Sequence, residues 1–262
     1  MPEPIAPDGA VLRPDWPDAP ATIGALATTR LGGASRGPYD DGRGGGGFNL
    51  GLHCGDDAQA VQANRARLQA LLPGRPAWIA QVHGAAVVDA ADVAPGGPAL
   101  TGDASIAGAP GLVCAILTAD CLPVLFADLE GKVVGAAHAG WRGLAGGVLG
   151  ATVAAMRAAG AGEITAWLGP AIGPQAFEVG PDVKAAFEAA LAQEAAAAFR
   201  PYPGRPGKYL ADMNALARRM LARDGVVRVH GGGRCTATEA DTFYSYRRDG
   251  VTGRQASLIW IK

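Results

Sequence analysis

The 262-residue chain is 49% apolar and 18% charged, as expected for a folded globular protein, and this composition excludes disorder throughout. Its 23 basic and 24 acidic residues are well mixed and leave a formal net charge of -1, so no broad basic face exists for nucleic acid, and a small-molecule partner is favoured. No apolar run reaches the roughly 18–20 residues that cross a bilayer, and the first residues are Pro-rich and acidic, unlike a signal peptide. We therefore expect a cytoplasmic protein without a membrane partner.

The first third of the chain predicts one strand and one helix, separated by a long loop. Thr22–Thr28 has strand character. Leu31–Gly47 is dominated by Gly, Pro and Asp, which indicates either a mobile surface loop or a lid over a site. The apolar spacing within Asp56–Leu72 predicts a helix, with Asp56 or Asp57 as its N-cap.

The middle of the chain is rich in apolar runs of strand length. Ala77–Val82 and Ala85–Ala90 predict two strands that pair with each other, and Pro95–Pro110 predicts a loop that carries Asp103. Three further strands are predicted at Leu112–Leu117, Pro123–Ala127 and Lys132–Ala137. A helix is then predicted to follow His138 and to continue to about Ala159.

The last third predicts strands at Ile164–Leu168, Val226–Val229 and Gln255–Ile261, helices at Asp182–Phe199 and Ala211–Arg223, and irregular segments at Gly169–Gly180 and Gly231–Gly250. No repeat or Ser/Pro linker divides the chain, so we predict an extended lead-in over residues 1–20 and one domain over residues 21–262. Because strands and helices do not alternate strictly, a mixed α+β layered fold is favoured over a doubly wound parallel sheet.

Three residues that can carry chemistry end apolar runs: His83, Cys121 and His138. Both histidines are followed by Gly or Ala-Gly, so the backbone can turn sharply and leave each imidazole facing a cleft. Two imidazoles and a thiolate suit zinc with a fourth position open to water or substrate, which is the arrangement of a catalytic site. The bound metal would acidify that water and so generate a nucleophile.

Other interpretations of these residues stay open from the residues alone. Each histidine is also compatible with a satisfied core or surface position, and Cys121 with a buried apolar thiol, because the spacing matches no local metal signature. A third interpretation makes Cys121 a nucleophile that His138 activates, with Asp120 or Asp103 orienting the imidazole. The four cysteines include no CxxC pair, so we expect reduced thiols rather than a disulfide scaffold.

Two arginines and one aromatic cluster are candidates for ligand contacts. The turn into the helix after His138 combines free backbone N–H groups with Arg142, which favours an anion such as phosphate. Arg65 is either an exposed charge or a second anion contact. Residues 244–249 (YSYRRD) could stack a flat base, or their aromatic rings could simply pack against the last strand.

The motifs together resemble the YfiH-like laccase-domain family, whose members are known as multicopper polyphenol oxidoreductases, purine nucleoside phosphorylases and a peptidoglycan editing factor. The resemblance extends from about Thr28 to the last strand in family order. Its motifs here are NLGLHCGD (49–56), NR (64–65), QVHG (81–84), TADCLPV (118–124), HAGWRG (138–143), GPAIGP (169–174) and YSYRRDG (244–250).

The resemblance implies a metal held by His83, Cys121 and His138, with these three and Asp120 as catalytic residues. It implies a single-domain layered α/β/β/α fold with mixed sheets, of the cysteine-hydrolase type. It also implies zinc-dependent phosphorolysis of adenosine, inosine, guanosine and methylthioadenosine, together with adenosine deamination. Asn49 would then help to position the nucleoside, and Arg65 and Arg142 would hold phosphate.

Three alternatives remain. The chain has only four histidines, and a blue-copper site would use two of them, so too few remain for the oxygen-reducing cluster of a true multicopper oxidase. Copper in the zinc site would therefore support at most a side reaction on polyphenols. The second alternative is a Cys-His amidohydrolase that edits peptidoglycan precursors, and a non-catalytic metal-binding module is a third. We expect a monomer or a small homo-oligomer.

Overall fold

The computed structural model describes residues 9–262, and its elements are mostly short. The strands are β1 (Val11–Leu12), β2 (Ile23–Thr28), β3 (Pro76–Ala77), β4 (Val87–Asp89), β5 (Ala104–Ala107), β6 (Val113–Thr118), β7 (Leu122–Asp128), β8 (Val134–Ala139), β9 (Ile164–Leu168), β10 (Glu178–Val179), β11 (Phe199–Pro201), β12 (Tyr209–Ala211), β13 (Arg228–Gly231) and β14 (Gln255–Ile261). The α-helices are α1 (Ala58–Gln69), α2 (Trp141–Ala145), α3 (Val148–Ala158), α4 (Pro181–Leu191), α5 (Met213–Arg223) and α6 (Tyr246–Asp249). Short 3-10 helices span Gly37–Tyr39, Ala90–Asp92 and Ala192–Ala198.

Two mixed sheets form the centre of the molecule. One has five strands in the order β1-β2-β14-β6-β3, with a parallel pair at β3 and β6. The other has six strands in the order β13-β9-β7-β8-β5-β4, with parallel pairs at β13–β9 and β4–β5. A small third sheet, β10-β12-β11, lies apart from the two. The predicted mixture of strand directions is therefore confirmed.

The two large sheets pack face to face, and helices cover their outer faces. Ile116 and Ile259 of the five-stranded sheet share one buried cluster with Leu125 and Trp167 of the six-stranded sheet. Leu68 of α1 packs on the outer side of the five-stranded sheet, while α3, α4 and α5 share a cluster with the outer side of the six-stranded sheet. Burial of apolar surface on both faces explains why the central strands are continuous apolar runs. The α/β/β/α layering predicted from the resemblance is confirmed.

The glycine-rich segment 31–47 is a loop, as predicted, and it is fixed at its base. Ser35 and Gly47 pair as an isolated bridge. The buried Asn64 side chain on α1 accepts a hydrogen bond from the Ala34 N–H and donates to the Ser35 Oγ and to the Gly47 carbonyl. The predicted helix around Asn64 is confirmed with closer ends, and Asp57 is its N-cap because its side chain accepts from the N–H of residue 59.

Several predicted elements differ from the structure. Only Ala77 of the predicted strand Ala77–Val82 belongs to a strand, and β4 pairs with β5 rather than with that segment. The predicted loop Pro95–Pro110 contains β5, a fully buried strand of the six-stranded sheet. The predicted helix after His138 is broken into α2 and α3, because Gly147 adopts a left-handed conformation with φ of 89°.

Differences toward the end of the chain are smaller. The helix predicted over Asp182–Phe199 is α helical only to Leu191 and continues as a 3-10 helix. Its last carbonyls, those of Ala190 and Leu191, accept hydrogen bonds from the Arg223 guanidinium, which stabilises this end of the α helix.

The N-terminal segment is joined to the domain. Residues 1–8 of the predicted lead-in lie outside the described residues. Within residues 9–20, β1 pairs with β2, and the Trp16 indole donates a hydrogen bond of 3.0 Å to Thr165 on β9. Residues 9–20 therefore contact both large sheets. In the described part of the chain, no helix has both the length and the apolar character needed to cross a membrane.

Candidate metal centre

The buried carboxylate of Asp103 fixes the loop that carries His83. Asp103 lies immediately before β5 and accepts hydrogen bonds from the backbone N–H groups of Val82 (3.2 Å), His83 (2.9 Å) and Gly84 (2.6 Å). His83 itself has a left-handed backbone with φ of 62°, which is uncommon for a residue with a side chain. Three amides converging on one carboxylate stabilise this turn and present the exposed His83 ring to the cavity.

The Gln81 side chain also holds this loop. Its amide accepts a hydrogen bond from the Leu117 N–H and donates one to the Leu117 carbonyl, both at 2.8 Å. The side chain thus pairs with the backbone N–H and carbonyl groups of β6 that a neighbouring strand would otherwise pair with. This explains why the run before His83 has strand composition without forming a strand.

Cys121 lies at the turn by which the chain leaves β6 in one sheet and enters β7 in the other. Asp120, at this turn, has a φ of 93°. Its carboxylate accepts hydrogen bonds from the Thr236 hydroxyl and from the Arg247 backbone N–H, each at 2.6 Å. Both oxygens of Asp120 are therefore engaged away from the two histidines. Asp120 anchors the turn, while the half-buried Cys121 thiol faces the cavity.

His138 lies near the end of β8 and is only 3% exposed. Its Nδ1 is 2.8 Å from Oδ1 of Asp103, the same carboxylate that holds the His83 loop. Burial acts to raise the pKa of Asp103, but the hydrogen bonds from His138 and the three amides outweigh it, so the carboxylate stays ionised. Because Nδ1 is engaged, Nε2 of His138 is the atom left for a ligand.

The three side chains converge, as predicted from the sequence. One ligand atom from each of His83, Cys121 and His138 lies within 4.8 Å of the others, and Cys121 Sγ is 3.8 Å from His83 Nε2. Gly140 completes the enclosure: a Cβ there would lie 2.8 Å from His83 Cδ2 and 3.1 Å from Cys121 Sγ. Two imidazole nitrogens, one sulfur and an open side toward a cavity fit the donor set of a catalytic zinc site.

The ionised sulfur of this group favours metal binding, whereas His138 must release a proton before its Nε2 can bind a metal. Burial raises the pKa of Cys121, but hydrogen bonds and charge from His138 and His83 outweigh this and lower it to about 6. For His138, burial acts to lower the pKa, while Asp103 and Cys121 raise it to about 9. In the metal-free protein the sulfur is therefore a thiolate at neutral pH, stabilised by a protonated imidazole.

A cavity of about 650 Å³ opens over the three side chains. Besides them, its lining includes the polar residues His53, Gln81, Thr118, Tyr246 and Arg254. Of the aromatic cluster, Tyr246 is 61% exposed at the cavity, whereas Tyr244 is fully buried and packs in the interior. The packing interpretation of the cluster therefore holds for Tyr244, while the base-stacking interpretation stays a prediction for Tyr246.

His53 and Arg254 line the cavity but are not among the site residues predicted from the sequence. His53 belongs to the NLGLHCGD motif but follows no apolar run. Arg254 stands just before β14, in a segment whose only signal is a positive charge beside a strand. Neither residue follows an apolar run in the way that His83 and His138 do.

The predicted substrate contacts occupy three different environments. Asn49 is fully buried, and its Oδ1 accepts from the N–H groups of Gly51 and Arg254, while its Nδ2 donates to the Asp56 carboxylate. Arg65 is half-buried, stacks on Trp78 with 4.3 Å from its Cζ to the ring centroid, and donates from Nε to the Leu50 carbonyl. These bonds give Asn49 the role of tying the 49–56 loop to the segment that bears Arg254.

Arg142 is exposed at the start of α2 and stacks on the ring of Trp141. Of the remaining histidines, His230 pairs with Asp18 at 2.7 Å and does not line the cavity. No disulfide joins the four cysteines, all of which lie within the described residues.

Comparisons with known proteins identify the family of the chain. Residues 24–262 match the family model described as multi-copper polyphenol oxidoreductase laccase. The chain is 52% identical over 253 residues to purine nucleoside phosphorylase PA4543 of Pseudomonas aeruginosa, covering 97% of this chain and 99% of that protein. It is 50% identical over 258 residues to purine nucleoside phosphorylase YfiH of Escherichia coli, covering 95% of this chain and 97% of that protein.

Two solved structures have the same fold. Protein NMB0706 of Neisseria meningitidis superimposes with a TM-score of 0.88 at 49% identity, covering 97% of this chain and 99% of that chain. YlmD of Geobacillus stearothermophilus also gives 0.88, at 34% identity, with all of both chains covered. The match over nearly the whole length shows that the chain belongs to the multi-copper polyphenol oxidoreductase laccase family.

Proposed function

We propose that this protein is a zinc-dependent purine nucleoside phosphorylase that also deaminates adenosine. The observation that carries the proposal is the convergence of His83, Cys121 and His138 at one wall of a cavity large enough for a nucleoside. Relatives about half identical to this chain bear the name purine nucleoside phosphorylase. The proposed substrates are adenosine, inosine, guanosine and methylthioadenosine.

The three converging residues would hold the metal. When bound, zinc supplies Lewis acidity, which polarises a substrate oxygen or lowers the pKa of a water. The protein's own contribution is orientation. Asp103 fixes the His138 ring and the His83 turn at once, so the two imidazoles keep one relative geometry.

Phosphate and nucleoside would occupy the rest of the cavity. Arg65 and Arg142 do not themselves line the cavity. They remain the proposed phosphate contacts, since each stacks on an aromatic ring that holds its guanidinium in place. The exposed Tyr246 ring at the cavity provides a flat surface for a purine. Asp120, which was predicted to be catalytic, would act by positioning Cys121. Asn49, which was predicted to position the nucleoside, would act through the loop it anchors.

The experiment is a nucleoside panel, with and without phosphate, on zinc-loaded protein whose metal content is measured. We expect phosphate-dependent release of adenine from adenosine, and loss of both bound metal and turnover in His83→Ala. His230→Ala is the matched control, because that histidine also lies near a carboxylate but outside the cavity. The proposal is refuted if zinc-loaded protein releases no base from any of the four nucleosides.

A second candidate is a Cys-His amidohydrolase acting on peptidoglycan precursors. It is favoured by one observation: Cys121, His138 and Asp103 form a chain in which the thiol pKa is lowered and the imidazole is oriented by a buried carboxylate. For this candidate, chelation would spare activity and alkylation of Cys121 would abolish it. For the phosphorylase, chelation abolishes activity. A copper-loaded sample assayed on a polyphenol tests the remaining oxidase side reaction.

A further inference from the structure

Two guanidinium groups beside the cavity have no acidic partner. Within residues 9–262, neither Arg65 nor Arg254 contacts a carboxylate. Arg65 makes one side-chain hydrogen bond, to the Leu50 carbonyl, and Arg254 donates only from Nη1, to the carbonyls of Thr252 and Gly253. Burial without an anion lowers the pKa of Arg65 to about 10. Partly buried cations that lack a counter-ion favour the binding of an anion.

His53 lies in the same region and faces the cavity together with Arg254. Burial lowers its pKa, and the charges of Arg254 and Arg65 lower it further. The other titratable groups of its loop are Cys54 and Asp56. Burial raises the pKa of Cys54, so its thiol is neutral. The Asp56 carboxylate accepts a hydrogen bond from the Asn49 amide. His53 is exposed at the cavity and is therefore a neutral imidazole in the field of two positive charges when no anion is bound.

We propose that His53 and Arg254, in the field of Arg65, form a binding site for a doubly charged tetrahedral oxyanion, and that His53 takes up a proton as the anion binds. The anion cancels the field of the arginines that disfavours the imidazolium, and a protonated imidazole donates a charge-assisted hydrogen bond to the anion oxygen. Proton and anion binding are then mutually favourable, so anion affinity rises as the pH falls through the pKa that His53 has with the anion bound. None of the three residues belongs to the metal-ligand group.

This inference rests on the proposed function in that phosphate would be the physiological anion, but it is testable without turnover. The probe is inorganic sulfate, which stays a dianion at neutral pH, so any proton taken up belongs to the protein. Calorimetric titration of the zinc-loaded protein at about pH 7, in two buffers with different ionisation enthalpies, gives the number of protons bound per sulfate.

We expect measurable proton uptake when sulfate binds to the wild type. In His53→Gln the proton uptake should disappear, while sulfate still binds but with lower affinity. Arg254→Gln should weaken sulfate binding about tenfold or more, as expected for loss of a charge-assisted contact. His230→Gln, the matched histidine outside the cavity, should leave uptake unchanged. The proposal is overturned if sulfate does not bind, if it binds without proton uptake, or if His53→Gln retains the uptake.

A second measurement needs no variant to fold. The pKa of His53 can be followed from its ring-proton NMR signal, and sulfate should raise it by about one unit or more. An unchanged value would overturn the proposal. If the protein shows sulfate-linked proton uptake but no phosphorolysis, the result counts against the proposed function alone. If it shows phosphorolysis but no sulfate-linked proton uptake, the result counts against this site alone.

Discussion

Asp103→Asn tests whether one carboxylate organises the metal site. The side chain accepts four hydrogen bonds, from the amides of Val82, His83 and Gly84 and from the His138 ring. Each carboxylate oxygen of Asp103 accepts two of these bonds. In asparagine an NH₂ group replaces one of the oxygens and cannot accept hydrogen bonds, so about two of the four bonds are lost. At about 1.5–3 kcal/mol for each bond to a charged group, the free energy of unfolding should fall by about 3–6 kcal/mol. Zinc affinity should fall about 10- to 100-fold, as for other residues that orient a ligand.

Asp128→Asn is the matched control for this experiment. Asp128 is also fully buried and accepts hydrogen bonds from two backbone amides, those of Lys132 and Gly162. It ends β7, whereas Cys121 stands just before that strand begins. Urea denaturation should show that both variants lose stability, and competition with a chromogenic chelator should show that only Asp103→Asn loses zinc affinity. Equal zinc affinity in the two folded variants would refute the assigned role of Asp103.

Three further predictions concern the same region. Gly140→Ala should weaken zinc binding while changing the urea midpoint little, because the added methyl group meets His83 and Cys121; a zinc titration indistinguishable from wild type would contradict this. In metal-free protein, the alkylation rate of Cys121 should depend on pH as expected for a thiol with a pKa of about 6, so alkylation should stay fast down to about that pH. Zinc should suppress the alkylation. A pH–rate midpoint above about 8 would show an ordinary thiol. Asn64→Ala removes the side-chain bonds that hold segment 33–47, so unfolding free energy should fall by about 2–4 kcal/mol, and limited proteolysis should cut that segment faster. Unchanged cleavage would mean that the loop is held by other contacts.

The three converging residues could be singled out from the sequence because each of them follows an apolar run. His83 and His138 are each followed by small residues, and the turn at Cys121 is bounded by two apolar runs. What could not be anticipated is that the Asp103 carboxylate serves both histidines. That arrangement depends on the order of β4, β5 and β8 in the sheet, which no local pattern specifies. For the same reason the sequence left Asp120 and Asp103 as equal candidates for orienting the imidazole, and only Asp103 contacts it.

The mispredicted elements have a common physical origin. The sequence ASIA of β5 is too short and too small to be typical of a strand, yet it is fully buried between β4 and β8. Conversely, Ala77–Val82 has strand composition, but side chains of Gln81 and Asp103 replace the backbone partners that a strand would need. In both cases tertiary contacts override local preference.

The position of β14 has a consequence for the order of assembly during synthesis. This strand lies between β2 and β6, so the five-stranded sheet stays split until residues 255–261 have been made. Arg254 and the turn after β6 that bears Cys121 both depend on that closure. A nascent chain that has already exposed His83, Cys121 and His138 would therefore hold them without a rigid frame until β14 leaves the ribosome.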